Sequence, residues 1–128
     1  MVVTTMPPNG DYVQAFACGQ RIFSEGQHGD WMYVVVEGEV ELLVNNVLVE
    51  RLGPGGVLGE MSLIDAAPRS ATAVARTHCK LWSINQKRFS YLVQQTPDFA
   101  LQMMRVMAVR LRHMDQRVYS KAAAARAA

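Results

Sequence analysis

The segment from residue 53 to residue 72 carries the side chains with the clearest chemistry in this chain of 128 residues. Gly59 opens a short apolar run that suits one or two helical turns, and Pro68 closes the run. Unpaired N–H groups at the start of a helix carry partial positive charge and attract anions. Arg69 follows and offers a planar, permanently charged fork that can pair with two phosphate oxygens. The segment therefore predicts an anion site.

The same segment also resembles a known family. Residues 59–63 (Gly-Glu-Met-Ser-Leu) and 68–72 (Pro-Arg-Ser-Ala-Thr) are similar to the phosphate-binding cassette of the cyclic nucleotide-binding domain family. That family includes protein kinase A regulatory subunits, bacterial catabolite activators and cyclic-nucleotide-gated channels. Residues 19–26 and 29–40 resemble its first strands and turns, and the resemblance extends over about residues 15 to 118. It implies a mainly β protein, an antiparallel β-roll (jelly-roll) with a short cassette helix and two C-terminal helices.

The resemblance also implies how a cyclic nucleotide is bound. Arg69 and the backbone N–H groups near Met61 and Ser62, with Ala71 on the far side, would hold the ring phosphate. Glu60 would accept a hydrogen bond from the ribose 2′-hydroxyl, while the helix N-terminus and Arg69 offset its charge. The ligand-binding residues implied in this way are Gly59, Glu60, Met61, Ser62, Arg69, Ser70 and Ala71.

The base of the nucleotide needs an apolar wall and a lid. Val57, Leu58 and Val74 are the wall residues that we predict, and the second C-terminal helix is the predicted lid. In that helix, His113 and Met114 occupy the positions where the catabolite activators place polar contacts to the base. Methionine is a weak hydrogen-bonding group, so the sequence departs from the family at this point.

Ser70 bears on the identity of the base. In the family, a hydroxyl at this position can contact the phosphate or a guanine, so the sequence leaves cAMP and cGMP open. The run Arg-Ser-Ala resembles that of several bacterial cAMP binders, which favours cAMP. We expect no cofactor besides this ligand.

Length and composition exclude several other classes of protein. The chain has room for one domain, and its net charge of +2 does not by itself indicate a nucleic-acid or membrane partner. It has no signal-peptide pattern and no apolar run long enough for a membrane helix, so we expect a cytoplasmic protein. Cys18 and Cys79 have no pairing or metal-ligand spacing and are expected to be reduced thiols.

The histidines give no indication of an enzyme. His28, His78 and His113 are isolated from one another, whereas metal-dependent enzymes on a similar roll need clustered histidines and a carboxylate. The chain also has no phosphate loop ending in Gly-Lys and no dinucleotide-binding glycine pattern. We therefore predict no catalysis and no bound metal.

The elements that position the cassette follow from periodicity and turn residues. The asparagine pair Asn45-Asn46 indicates a hairpin turn, and Gly38 indicates a bend inside a long strand. We divide the chain into a lead-in at 1–11, a binding domain at 12–120 (roll 12–85, helices 86–120) and an alanine-rich tail at 121–128, which is either a fraying helix end or disordered. The predicted strands are 12–16, 21–23, 32–44, 47–52, 72–75 and 80–84, and the predicted helices are 86–95 and a second one from Pro97.

The second helix carries an apolar stripe at heptad spacing. Phe99, Met103 and Val106 widen this stripe, so it suits both packing on the roll and pairing with a second copy. The predicted homodimer seam consists of Met104, Met107, Leu111, Met114 and Val118.

Three interpretations of the function follow from these observations. The first is a free-standing sensor that signals to an unknown downstream protein by moving its C-terminal helix. The second is the ligand-sensing part of a catabolite-activator-type regulator, although this chain contains no DNA-binding domain. The third is an interaction module that no longer binds a ligand, against which the intact Glu60 and Arg69 argue.

Overall fold

The computed structural model describes residues 3–4, 7–8 and 10–127, with side chains described up to His113. Eight strands form two four-stranded antiparallel sheets, which three helices complete. The elements are β1 (Val13–Phe16), β2 (Arg21–Phe23), β3 (Trp31–Glu37), β4 (Val40–Val44), β5 (Val47–Leu52), β6 (Val57–Leu58), α1 (Glu60–Asp65), β7 (Thr72–Ala75), β8 (Cys79–Asn85), α2 (Gln86–Gln95) and α3 (Pro97–Ala127). The strand orders are β1-β8-β3-β6 and β2-β7-β4-β5. The predicted antiparallel roll with a short helix and two C-terminal helices is confirmed.

The central strands β3 and β8 are buried on both faces. Successive side chains of a strand point to opposite faces. Val35 and Leu81 therefore join the core between the two sheets, whereas Val34, Trp82 and Ile84 join a second core against α2 and α3. This arrangement accounts for their nearly continuous apolar sequence, which is typical of strands covered on both sides.

Gly38 separates two strands rather than bending one. The break that we predicted at Gly38 in the strand 32–44 is present, but the two parts, β3 and β4, belong to different sheets and do not form one bent strand. Gly38 has a φ of 90°, and a Cβ there would overlap the carbonyl oxygen of His78. The predicted hairpin turn is confirmed, since Asn45 and Asn46 have φ values of 51° and 64°.

We expect Gly38→Ala to destabilise the protein by about 2–4 kcal/mol, because it combines an unfavourable φ with a backbone clash. Gly19→Ala is the matched control, since Gly19 has a similar φ of 84° but open space around it. Gly19→Ala therefore measures the loss of stability caused by the positive φ without a clash, which is about 1–2 kcal/mol. Urea unfolding measures both variants, and equal losses would contradict the predicted clash.

The long helix α3 is anchored to the roll near its start. Phe99, Met103 and Val106 are buried in the core beside α2, together with Val3 from the N-terminal segment. Thr4 and Gln102 exchange two hydrogen bonds of 2.9 and 2.8 Å through the Thr4 backbone N–H and hydroxyl. The N-terminal segment therefore ties the first part of α3 to the roll.

The end of α3 falls in the alanine-rich stretch. The sequence left a fraying helix end and a disordered tail open at 121–128, and the helix continues to Ala127. Alanine has the highest helix propensity of all residues, and four of residues 121–125 are alanines. This propensity favours the helix end over the disordered tail.

The predicted seam lies beside the buried face of α3. Met104 and Leu111 are 56% and 58% exposed, so packing on the roll does not cover them. Met107 is half-buried. The side chains of Met114 and Val118 lie outside the described residues.

Candidate functional site

The cassette begins with a glycine that no other residue replaces without strain. Gly59 precedes α1 with a φ of 80°, and a Cβ there would press on the guanidinium of Arg69. The helix α1 then covers six residues, and the chain returns through Pro68 and Arg69 into β7. The one or two helical turns predicted for this segment are confirmed.

Arg69 lies folded back under the cassette. Its side chain is buried, and its terminal nitrogens donate to the carbonyl oxygens of Gly59 and Trp31 at 3.0 and 2.7 Å. Its Nε atom is buried without a hydrogen-bond partner among the described residues. Burial lowers the pKa of Arg69 from its ordinary value, although the guanidinium remains charged at neutral pH. Arg69 therefore presents a fixed cation, one nitrogen of which has no hydrogen-bond partner among the described residues.

Glu60 pairs with an arginine that the sequence analysis missed. Glu60 is 2% exposed, and Arg110 of α3 donates both to its carboxylate and to the carbonyl oxygen of Val57. Arg110 also donates to Glu50 of β5 at 3.1 and 3.3 Å. Burial acts to lower the pKa of Arg110, but the two carboxylates outweigh it and raise that pKa. Arg110 thus connects α3 to the cassette and to the hairpin of β4 and β5.

A signal for Arg110 was present in the sequence. Arg110 precedes His113 by three residues, so the two lie on the same face of the helix. Since His113 was placed on the lid, an arginine one turn earlier belonged to the same surface. Glu50 carried no comparable signal, because an acid in an exposed hairpin strand is ordinary.

The predicted binding residues meet in one cleft. The cleft encloses about 780 Å³, part of it open to solvent, between the cassette, the β4–β5 hairpin and α3. Its apolar wall consists of Phe23, Leu42, Val44 and Val49, and its charged residues include Glu50 and Arg110. The predicted residues that line it are Gly59, Glu60, Met61, Ser62, Arg69, Ser70, Ala71 and His113.

The predicted base wall was wrong. Val57 is buried in the core against the helices, and Leu58 is buried between the two sheets. Val74 alternates with the buried Ala73 and Ala75 on β7, so it faces away from that core. None of the three predicted wall side chains lines the cleft. The side chain of Met114 lies outside the described residues.

The described part of the chain offers little chemistry elsewhere. No three histidine, cysteine or acidic side chains within it come together as a metal site would require. Cys18 and Cys79 are both free, the first exposed and the second buried. No helix among the described residues has the length and apolar character needed to span a membrane.

Fold and site together define a β-roll domain whose cleft, between the cassette and α3, is lined by a buried cation and a buried carboxylate. The family model for the cyclic nucleotide-binding domain matches residues 13–96. The chain therefore belongs to the cyclic nucleotide-binding domain family.

Comparisons with individual proteins point in the same direction. The chain is 42% identical over 71 residues to a cAMP-dependent protein kinase regulatory subunit from Yarrowia lipolytica, covering 56% of this chain and 19% of that protein. The catabolite activator protein of Thermus thermophilus has a similar structure, with a TM-score of 0.78 and 30% identity, covering 88% of this chain and 55% of that one. A solved structure from a cyclic-GMP-dependent signalling pathway that regulates bacterial phytopathogenesis gives a TM-score of 0.68 at 32% identity, with coverages of 79% and 84%. This chain thus spans about a fifth of the fungal relative and about half of the Thermus protein.

Proposed function

We propose that this protein is a cytosolic sensor that binds a cyclic nucleotide in the cleft and signals by moving α3. The observation that carries the proposal is that a buried cation, Arg69, and a buried carboxylate, Glu60, line the same cleft. The Nε–H of Arg69 has no hydrogen-bond partner among the described residues, and Glu60 lines the same cleft. A phosphate and a neighbouring ribose hydroxyl match this pair of groups.

Each part of the ligand has a counterpart in the cleft. The ring phosphate would bind Arg69 and the free N–H groups of the cassette near Met61, Ser62 and Ala71. The ribose 2′-hydroxyl would donate to Glu60. The base would lie on the apolar wall below α3, where His113 faces the cleft. No cofactor besides the ligand takes part in this proposal.

Within the family, we favour cAMP over cGMP as the ligand. The support is the run of Arg69, Ser70 and Ala71 together with the 42% identity to a subunit named for cAMP dependence. The structure from the cyclic-GMP pathway supports the other base. Ser70 is exposed at the edge of the cleft, where its hydroxyl could serve either nucleotide.

Calorimetric titration of the purified protein with cAMP and cGMP tests the binding proposal. At about 0.3 kcal/mol per heavy atom, a ligand of this size binds with about 7 kcal/mol, or near 10 μM. We expect heat from both ligands and tighter binding of cAMP. A folded protein that gives no heat with either nucleotide would refute the sensor and favour the ligand-free interaction module.

The sensor is proposed to act without catalysis and through a separate downstream protein. Neither the cassette nor the cleft contains a nucleophile paired with a base among the described residues. Chromatography of a cyclic nucleotide incubated with the protein should return it unchanged. Conversion to a linear nucleotide would contradict this part of the proposal.

The lid proposal rests on Arg110. The anchored start of α3 and the Arg110 contacts to Glu50 and Glu60 make this helix the element that a change in the cleft reaches directly. A ligand that binds more tightly when α3 is closed shifts the population of α3 towards that state. The moving helix then presents a different surface to the partner.

A second function is the ligand-sensing part of a transcription regulator. The specific observation in its favour is the similarity over 88% of this chain to the Thermus catabolite activator. Regulators of that type read DNA with a helix-turn-helix element. A gel-shift assay with genomic DNA distinguishes the two, because specific and salt-resistant binding would favour the regulator.

We also propose that two copies pair through the exposed seam of α3. Met104 and Leu111 are exposed, and they lie about two turns apart along α3, beside its buried face. Leu111→Glu is expected to shift the protein from dimer to monomer in sedimentation velocity, because it places two charges in an apolar interface. Arg112→Glu is the control, since Arg112 is exposed beside the seam. A wild-type protein that stays monomeric at high concentration would refute the dimer.

A further inference from the structure

The guanidinium of Arg69 lies between an aromatic ring and a glycine. Its Cζ atom is 4.2 Å from the centroid of the Phe23 ring. A Cβ at Gly29 would overlap the guanidinium at Cζ and Nε, so the backbone of Gly29 fits closely against it. The guanidinium plane is therefore confined by these neighbours as well as by its two hydrogen bonds.

The Phe23 ring is itself held by other rings. Phe23 is stacked on Tyr33, with centroids 6.3 Å apart and planes inclined by 24°. Phe16 contacts Tyr33 edge-on at 6.4 Å, and Phe16 is buried in the core between the sheets. Arg69 thus lies at the end of an aromatic column, which consists of Phe23, Tyr33 and Phe16 and reaches from the core to the cleft.

The Phe23 ring contacts a face of the guanidinium, which the hydrogen bonds of Arg69 do not satisfy. A guanidinium has five N–H donors in its plane, but its two faces are poor hydrogen-bonding surfaces. Burial removes water from Arg69, and two carbonyl oxygens replace only part of it. An aromatic ring attracts the cation electrostatically and fixes the plane in which the remaining donors point.

We propose that Phe23 is a positioning residue for phosphate recognition: its ring fixes the plane of the Arg69 guanidinium, so that the N–H groups left over from the two carbonyl hydrogen bonds are held in place for an anionic ligand in the cleft. This inference rests on the proposed function, because the phosphate belongs to the cyclic nucleotide. Phe23 contributes through Arg69, although its edge also lines the cleft. An aliphatic side chain of similar size would fill the same volume without orienting the cation.

The first test compares nucleotide affinity in three variants by calorimetry with cAMP. Phe23→Leu is expected to weaken binding about fivefold, which corresponds to the loss of one cation–π contact. Phe23→Tyr keeps the ring and is expected to recover most of this loss. Phe89→Leu is the control for replacing a half-buried phenylalanine, since Phe89 packs against Phe99 far from the cleft. Wild-type affinity in Phe23→Leu would overturn the proposal.

A double-mutant cycle separates positioning from general packing. In an Arg69→Lys background, Phe23→Leu should cost less than twofold in affinity, because the planar group that the ring orients is gone. If the two losses multiply, Phe23 acts independently of Arg69 and the inference fails. Thermal melting confirms that each variant is folded, and Phe23→Met replaces Phe23→Leu if the latter does not fold.

A second measurement does not depend on nucleotide binding. In the wild type, the Cζ atom of Arg69 lies 4.2 Å from the centroid of the Phe23 ring, so the ring current should move the NMR signal of the adjacent Nε–H proton upfield. Phe23→Leu should abolish this shift and increase the mobility of the Nε–H group. If the wild type binds neither nucleotide but shows this shift, the proposed function fails and the stacking stands. If the wild type binds and the shift is absent, the positioning role fails alone.

Discussion

Arg69→Lys should weaken cyclic-nucleotide binding at least about tenfold, although the substitution keeps the positive charge. A charge-assisted hydrogen bond contributes about 1.5–3 kcal/mol, and lysine lacks the fork that pairs with two phosphate oxygens. Lysine also has a single side-chain nitrogen. It therefore cannot bind the carbonyl oxygens of Gly59 and Trp31 with separate nitrogens, as Arg69 does, and keep a further N–H group in the same plane for the ligand. The loss should therefore appear in affinity, measured by calorimetry with cAMP and cGMP.

Arg76→Lys is the control for this substitution. Arg76 lies on the outer surface, where it forms exposed ion pairs with Glu39 and Glu41. Such pairs contribute little, so Arg76→Lys should bind nucleotide as the wild type does. An Arg69→Lys protein that binds within twofold of the wild type would contradict the phosphate role of Arg69.

Arg110→Met is expected to destabilise the protein by about 3–5 kcal/mol, or to release α3 from the cleft. Removing one partner of a buried ion pair leaves the other charge without compensation. Here that charge is the carboxylate of Glu60, which is 2% exposed. Urea unfolding measures the loss of stability, and hydrogen exchange along α3 detects the release of the helix.

The double variant Arg110→Met/Glu60→Gln distinguishes this cause from lost packing. It removes both charges, so most of the stability should return. Arg112→Met is the control, since Arg112 is exposed on the same helix. If Arg110→Met changes neither stability nor exchange, Arg110 does not hold the lid.

The pKa of Arg110 fixes the pH range of this effect. Its pKa is raised in the fold, so its contribution is fully present below the ordinary arginine pKa and is lost only as the pH rises through the folded value. The contribution of Arg110 is therefore constant across the neutral range.

Local rules predicted most of the fold. The asparagine pair, the strand that follows it and the helix Gln86–Gln95 came out as expected, because turn residues and periodicity act over a few neighbours. The sequence did not predict that β3 and β4 belong to different sheets. A glycine allows the chain to turn there, but the sheet that each strand joins depends on pairing with distant strands. The composition of the last residues left a helix end and a tail open, and α3 extends through them to Ala127, as the helix propensity of alanine favours.

The sequence predicted the part of the site that one short segment supplies. It did not predict the part that comes from distant elements. The cassette residues lie within thirteen positions of one another, and they line one cleft. The prediction of the base wall was wrong because Val57 and Leu58 pack into two different cores. The sequence shows that these residues are apolar but not whether they face a core or a cavity. Arg110, Glu50 and Phe23 reach the cleft from three separate elements, so only the folded chain brings them together.

The anchoring of α3 makes it a lever. Its start is fixed by Phe99, Met103 and Val106 and by the paired hydrogen bonds between Thr4 and Gln102. From Val106 to Ala127 the helix extends for about 30 Å, at roughly 1.5 Å per residue. A tilt of about 10° around the anchored part would carry the far end through about 5 Å, taking that length. Arg110 lies close to the fulcrum, so a displacement of about 1 Å at the cleft is magnified several-fold at the end of the helix.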